Sequence, residues 1–421
     1  MALIANGLGG ATVSAADAVT VTRLDGSVVT GDLRTWTDSE ITVAAAAGDQ
    51  RIATDQLMSV RWSPPAGDPV KQPTPPAGVV ELIDGTQLPI NTLTIAGSNA
   101  SMKLQPTAGS PDLTVVVPAN KLAMVRFQHL ADTLTSQWEE IRQQKLSSDA
   151  LVIIKKDGKS LDYVEGVVGE VTPDKIEFKI DDETNRVDRA KVAGVIYYRT
   201  NTGKLADQKA ALTGAAGLRA AVARLAVDGA TVNITTPAGV SFAWPLADLE
   251  SADFSSGKLA YLSDLEPSSQ NWAPMVGLPS GATIASQYGQ PRRDHAAFGG
   301  PLLLLDRNPD DASAPLTANR TFAKGLALRS RTELVYRLPE GFRRFTALAG
   351  IDPATNSAGN VRLSILADDR LLLETEIAGG QPPQPIDVQI AGAKKLKILV
   401  DFGQNLDTGD WLNLCDPKIV K

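Results

Sequence analysis

The chain has 421 residues, of which 43% are hydrophobic and 21% charged, with a formal net charge of −7. That length exceeds one ordinary hydrophobic core and predicts two to four domains. The apolar content excludes a disordered chain, the lack of an apolar run of about 18 residues excludes a membrane-spanning helix, and the acidic balance argues against a nucleic-acid partner.

Residues 1–18 read as a leader or the remnant of an export signal. Ala16 and Ala18 frame an A-x-A pattern of the kind that precedes signal cleavage. A flexible small-residue terminus is the other reading. The export reading implies an extracytoplasmic protein, periplasmic or secreted.

From Val19 the pattern changes to short alternating apolar segments broken by Asp-Gly. VTVTRLDGSVVTGDL carries Asp25-Gly26, VVELIDGTQLPINTL carries Asp84-Gly85 and LVIIKKDGKSLDYVEGVVGEV carries Asp157-Gly158. Asp-Gly between alternating segments predicts a tight hairpin, because glycine takes positive φ without strain. A shortened copy, LAVDGATVNI, carries Asp228-Gly229. Each unit closes on a similar phrase: DQLMSVRW from Asp55, NKLAMVRF from Asn120, RAKVAGVIYY from Arg189 and PLADLESADF from Pro245. The spacing predicts three or four copies of one β unit, at residues 19–62, 79–128, 149–200 and within 201–257. Units of this size suit small SH3-like or Sm-like barrels, a fold that specifies no function.

Residues 63–78 (SPPAGDPVKQPTPPAG) predict a semi-extended proline-rich linker. Residues 129–148 predict an amphipathic helix with Leu130, Leu134, Trp138 and Ile141 on one face. A second helix is expected from Leu205 to Leu225, weakened by its glycines. The one cysteine, Cys415, is read as a buried apolar residue, and two histidines, His129 and His295, leave little for histidine-based metal or acid–base chemistry.

Residues 258–421 carry a denser set of motifs: Lys324-Gly325, Ser330, Glu333-Leu334, Tyr336, Phe345, Gly350-Ile351-Asp352, Ile386-Asp387-Val388 and Asp410-Trp411. In these the segment resembles the NPCBM family, the novel putative carbohydrate-binding modules. The resemblance implies a galactose-binding-like jelly-roll β-sandwich that recognises glycans and is often attached to glycoside hydrolase domains. The residues themselves agree on a mainly β fold, with strand candidates at Leu334–Leu338, Val361–Leu366, Leu371–Ile377, Ile386–Ile390 and Leu396–Val400. One departure stands out: family members often read H-S or H-A where this chain has Arg329-Ser330. Arginine presents a charged donor fork suited to polar or acidic sugars, or to an ordinary salt bridge.

Asp306, Asn308 and Asp310 place oxygen side chains at alternate positions, which suits calcium, but Asp311 stands where an EF-hand needs glycine. A solvated turn is the competing reading. Trp411 reads as a sandwich core residue or as a sugar-stacking platform, and Tyr288 and Trp272 as exposed aromatic candidates. Asn405, Asp407 and Asp410 suit hydroxyls, a structural cation or plain turns. No nucleophile elbow, zinc-protease motif, P-loop or dinucleotide fingerprint occurs, and the pairs Asp181-Asp182 and Asp368-Asp369 read as solvated turns. The expectation is a non-catalytic protein, not an enzyme: a glycan-binding sandwich preceded by spacer or interaction repeats, possessing no certain cofactor. The alternative is a structural or assembly protein that uses both parts for protein contacts.

Overall fold

The computed structural model describes residues 18–62, 76–107, 113–181, 183–200, 203–276, 288–306, 316–355 and 358–421. Residues 1–17 of the leader and most of the proline-rich linker lie outside these, and Ala18, the last leader residue, already belongs to the first strand. The chain divides into two compact units, Met1–Ser256 and Gly257–Lys421.

The first unit repeats one strand plan. Its first copy runs β1 (Ala18–Arg23), β2 (Val28–Trp36), β3 (Glu40–Ala45), β4 (Gly48–Ala53), a 3-10 turn and β5 (Leu57–Trp62). The second runs β6 (Gly78–Leu82), β7 (Gln87–Ala96), β8 (Asn99–Leu104), β9 (Thr114–Pro118), a 3-10 turn and β10 (Leu122–Arg126). Helix α1 (Asp132–Arg142) follows, and then β11 (Asp149–Ile154), β12 (Leu161–Val171), β13 (Lys175–Ile180), β14 (Glu183–Asp188), a 3-10 turn and β15 (Val192–Ile196). In each copy the first strand is antiparallel to both the second and the fifth, so β1 lies between β2 and β5. Alternation explains the placement: Val21, Val60, Val80, Val125, Leu151 and Val195 are the inward residues of these pairs and are buried.

The first hairpins share a mechanism. The carboxylates of Asp25, Asp84 and Asp157 each accept the backbone N–H two residues on, from Ser27, Thr86 and Lys159. Gly26, Gly85 and Gly158 then take φ of 86°, 83° and 67°, conformations that cost a residue with a Cβ.

The fourth copy corrects two expectations. Leu205–Leu225 is not a helix: it contains β16 (Ala210–Gly214), a tight turn and β17 (Leu218–Val222), which form a hairpin. Alanine favours helix locally, but pairing of β16 with the closing strand of its copy overrides that preference, and the turn is made by Ala216 and Gly217 at φ 58° and 87°. Asp228-Gly229 consequently occupies a different hairpin from its supposed counterparts, joining β18 (Arg224–Asp228) to β19 (Thr231–Thr235). The copy ends with β20 (Ser241–Pro245), a 3-10 turn and β21 (Leu249–Asp253).

Closing strands also pair between copies, β5 with β21 through Val60↔Ala252 and β10 with β15 through Val125↔Val195. At the second junction the backbone of Gly194 packs closely, since a Cβ there would lie 2.1 Å from the Val125 carbonyl oxygen and 2.6 Å from the Trp138 ring. Leu134, Trp138 and Ile141 of α1 are buried in a cluster with Met124, Val152 and Ala193.

The second unit is a two-sheet sandwich. Its strands are β22 (Leu259–Tyr261), β23 (Ser269–Trp272), β24 (Arg292–Arg293), β25 (Leu302–Asp306), β26 (Thr317–Phe322), β27 (Gly325–Arg329), β28 (Thr332–Arg337), β29 (Arg344–Ile351), β30 (Asn360–Ala367), β31 (Arg370–Ala378), β32 (Gln384–Gln389), β33 (Lys395–Phe402) and β34 (Trp411–Val420). One sheet has the order β24-β27-β34-β29-β32, with β22 added against β34, and the other β23-β28-β33-β30-β31. Leu326, Leu328, Phe345, Leu412 and Leu414 from the first meet Leu334, Tyr336, Leu363, Ile398 and Val400 from the second in one buried core. The hairpin β25–β26 packs Leu302, Leu304 and Phe322 against Ala327 and Cys415. Cys415 is a free, buried cysteine, and burial pushes its thiol pKa up.

Candidate ligand-binding site

Alternation along β27 and β34 decides which side chains can form a site. Leu328, Leu412 and Leu414 point into the core, so Arg329, Trp411 and Asn413 point to the opposite face of the sheet. Arg329 lies directly across from Trp411 in the strand register. On the other side of β34, the Asp352 backbone N–H donates to the Trp411 carbonyl at 2.8 Å.

Aromatic rings and the guanidinium form a single cluster here. The Arg329 guanidinium carbon lies 4.6 Å from the Tyr288 ring centre and 5.8 Å from that of Trp411, within cation–π range. Tyr288 and Phe298 meet Trp411 edge-on at centroid distances of 5.8 and 6.0 Å. Trp411 is only 2% exposed, whereas Tyr288 is 49% and Phe298 60% exposed. The buried ring is therefore the foundation, and the two exposed rings present its surface.

Arg329 is held from one side. Its Nη2 donates to a carboxylate oxygen of Asp407 at 3.2 Å, and the arginine side chain is 13% exposed. Nε and Nη1 make no hydrogen bond to protein among the described residues. Next to Arg329, the Ser330 hydroxyl donates to Asp410 at 2.8 Å, and the Asn360 N–H donates to the other carboxylate oxygen at 2.9 Å. Burial raises the Asp410 pKa, a shift opposed by these hydrogen bonds and by the Arg329 charge and reinforced by Asp407.

Trp272 Nε1 donates to the Ser330 carbonyl at 3.0 Å, so this half-buried ring braces the site backbone. It also lies against Gly289, where a Cβ would sit 1.9 Å from the indole; glycine at that position lets the segment bearing Tyr288 approach. Asn405 ties its own turn to the segment before β30, its amide donating to the carbonyls of Thr408 and Ala358.

The structure thus brings together Arg329, Tyr288, Asp407, Asp410 and Trp411. Asn308 and Asp310 lie outside the described residues. Asp306 ends β25 and is 3.7 Å from the Arg320 guanidinium. Among the described residues no group of three His, Cys, Asp or Glu side chains is arranged to hold a metal ion. Sequence reasoning missed Phe298, Asn360 and Asn413. Asn413 was within reach of a two-residue alternation along WLNLC, while Phe298 and Asn360 reach the site from loop and strand ends that no periodicity marks.

The second unit has the fold of a two-sheet β-sandwich. Residues 258–420 match the family model described as the NPCBM/NEW2 domain, and the second unit is such a domain. Among solved structures, the chain is similar to a CBM51 module from Clostridium perfringens GH95 in complex with methyl-galactose, at 21% identity and a TM-score of 0.31, covering 38% of this chain and 99% of that one. It is also similar to the CBM51-2 and INT domains of Clostridium perfringens ZmpB in complex with GlcNAc, at 24% identity and a TM-score of 0.32, covering 47% of this chain and 37% of that one. Tandem CBM51 modules of the family 98 glycoside hydrolase Sp3GH98 from Streptococcus pneumoniae SP3-BS71 match at 12% identity and a TM-score of 0.30, covering 81% of this chain and 87% of theirs. No curated protein matches the chain.

Proposed function

We propose that the second unit binds a glycan at the Arg329–Tyr288–Trp411 end of its sandwich, without catalysis, and that the first unit serves as spacer or interaction repeats in an extracytoplasmic protein. The observation that carries this reading is the state of Arg329: a guanidinium stacked on a half-exposed tyrosine, anchored by Asp407 through one nitrogen and with Nε and Nη1 left over. Such donors suit sugar hydroxyls, and an exposed aromatic face suits the apolar face of a pyranose ring. Pairing with Asp407 offsets the arginine's charge, which favours a neutral sugar over an acidic one at this end. Family membership supports the same reading. The carboxylate pair Asp368-Asp369 is occupied structurally: Asp368 accepts the backbone N–H groups of Lys394 and Lys395, and Asp369 pairs with Lys397.

A glycan array probed with the full chain, with calcium and with chelator, tests the proposal. Binding to a neutral glycan is expected, weakened about tenfold or more in Arg329→Ala, the worth of a charge-assisted hydrogen bond. Loss of binding in chelator that Asp306→Ala reproduces would assign a calcium role to the segment containing Asp306, Asn308 and Asp310. A blank array under both conditions rejects the glycan reading, and release of new reducing ends from a bound glycan rejects its non-catalytic part.

A further inference from the structure

The solvent face of the five-stranded sheet carries a groove of ≈ 350 Å³ floored by Val335. Leu334, Tyr336, Leu396 and Ile398 point into the core, so alternation turns Glu333, Val335 and Arg337 of β28, with Lys395 and Lys397 of β33, toward this groove. The two ends of the groove differ. Lys397 is neutralised, 3.4 Å from Asp369 and 3.9 Å from Glu333. Arg337 and Lys395 are directly opposite each other in the strand register, and neither has an ion-pair partner among the described residues. Asp368, the remaining acid of the groove, is engaged by the N–H groups of Lys394 and Lys395 at 3.1 and 2.9 Å.

Like charges directly across a strand pair destabilise a sheet. Two adjacent cations at the wall of a preformed groove supply what an oxyanion requires: a planar guanidinium fork beside a mobile ammonium. We propose that this groove binds an oxyanion, the carboxylate or sulfate group of an acidic saccharide, between Arg337 and Lys395. Arg337 ends β28, whereas Arg329 lies three residues before its start, so the Arg337–Lys395 end of the groove and the Arg329 cluster are at opposite ends of that strand. The inference stands independently of the glycan reading for the Arg329 end.

The test uses the full chain, titrated by calorimetry with sodium sulfate and with trigalacturonate at an ionic strength held constant by chloride. Saturable binding of trigalacturonate is expected, with sulfate competing for the same site. Arg337→Gln and Lys395→Gln should each weaken binding about tenfold or more. Each should also raise the melting temperature of the unliganded protein, because it removes a like-charge contact; a variant that lost binding by misfolding would melt lower. Absence of saturable binding to both probes overturns the proposal, as does affinity unchanged in both variants. Sulfate binding without trigalacturonate binding overturns the saccharide assignment.

Discussion

The two units bury different chemistry. Among the described residues, the first buries one carboxylate, Asp248, with three threonines. The second buries Asp352, Asp410 and Asn413 along with Ser263, Ser330, Thr332 and Ser364. Burying a carboxylate or amide costs stability unless hydrogen bonds replace water. The repeats avoid that cost by reusing an apolar strand plan, whereas the sandwich accepts it where Ser330, Asp410, Asn413 and Asp352 adjoin Trp411. Some of those groups are incompletely satisfied: among the described residues, Trp411 Nε1, one oxygen of Asp352 and the Asn413 carbonyl oxygen are buried without a hydrogen-bond partner. Ser330, Asp352, Asp410 and Asn413 thus lie beside Trp411, at the end of the sandwich that carries Arg329 and Tyr288.

Five substitutions can break or sharpen this contrast. The largest effect is expected from Trp411→Ala, which removes the ring beneath Tyr288, Phe298 and Arg329. Denaturant unfolding should register a loss of about 3–5 kcal/mol, with glycan affinity lost as well; unchanged stability would mean that Trp411 is not the foundation of the site. In the first unit, Gly194→Val drives a side chain into the Val125 carbonyl and the Trp138 ring. A cost of about 3 kcal/mol is expected, and hydrogen exchange should report opening at the β10–β15 junction.

Asp410→Asn should cost about 1–3 kcal/mol, because the amide retains one acceptor for the two donors Ser330 and Asn360. It also carries a pH signature. Burial raises the folded-state pKa of Asp410 above its unfolded value, so the folded protein holds this proton at pH values where the unfolded chain has released it. The corresponding stability is complete below the unfolded pKa and is lost as pH rises through the folded pKa. Stability measured upward from acid pH should therefore fall more steeply in the wild type than in Asp410→Asn; parallel profiles would remove the buried carboxylate from the account. Smallest is the pair at the fourth-copy turn. Ala216→Gly should stabilise and Gly217→Ala destabilise, each by about 1 kcal/mol, since both positions have positive φ. Equal signs would show that the turn differs from the Asp-Gly hairpins of the other copies in more than its residues.

Much of the architecture was legible where chemistry is local. Asp25-Gly26, Asp84-Gly85 and Asp157-Gly158 announce their hairpins because the aspartate closes the turn on its own backbone and glycine takes the positive φ. The inward positions of Leu326, Leu328, Leu334 and Tyr336 follow from strand alternation, and all four are buried. The first helix was visible from the spacing of Leu134, Trp138 and Ile141. The segment around Ala210–Val222 was misleading for the same local reason: its alanines satisfy a helix equally well, and the partner strand that selects β16, the closing strand β21, lies some 35 residues further on.

The amino-acid sequence by itself determined the hairpin turns, the inward and outward faces of the strands and the motif set of the NPCBM/NEW2 domain, because each depends on residues within one turn or one strand. Tertiary structure alone decided which copies share closing strands, that Arg329 is paired with Asp407 and stacked on Tyr288, and that Arg337 and Lys395 oppose each other unpaired across a groove. Those outcomes depend on register between strands far apart in the chain. A change of one residue in that register would turn Arg329, Arg337 and Lys395 to the opposite faces of their sheets.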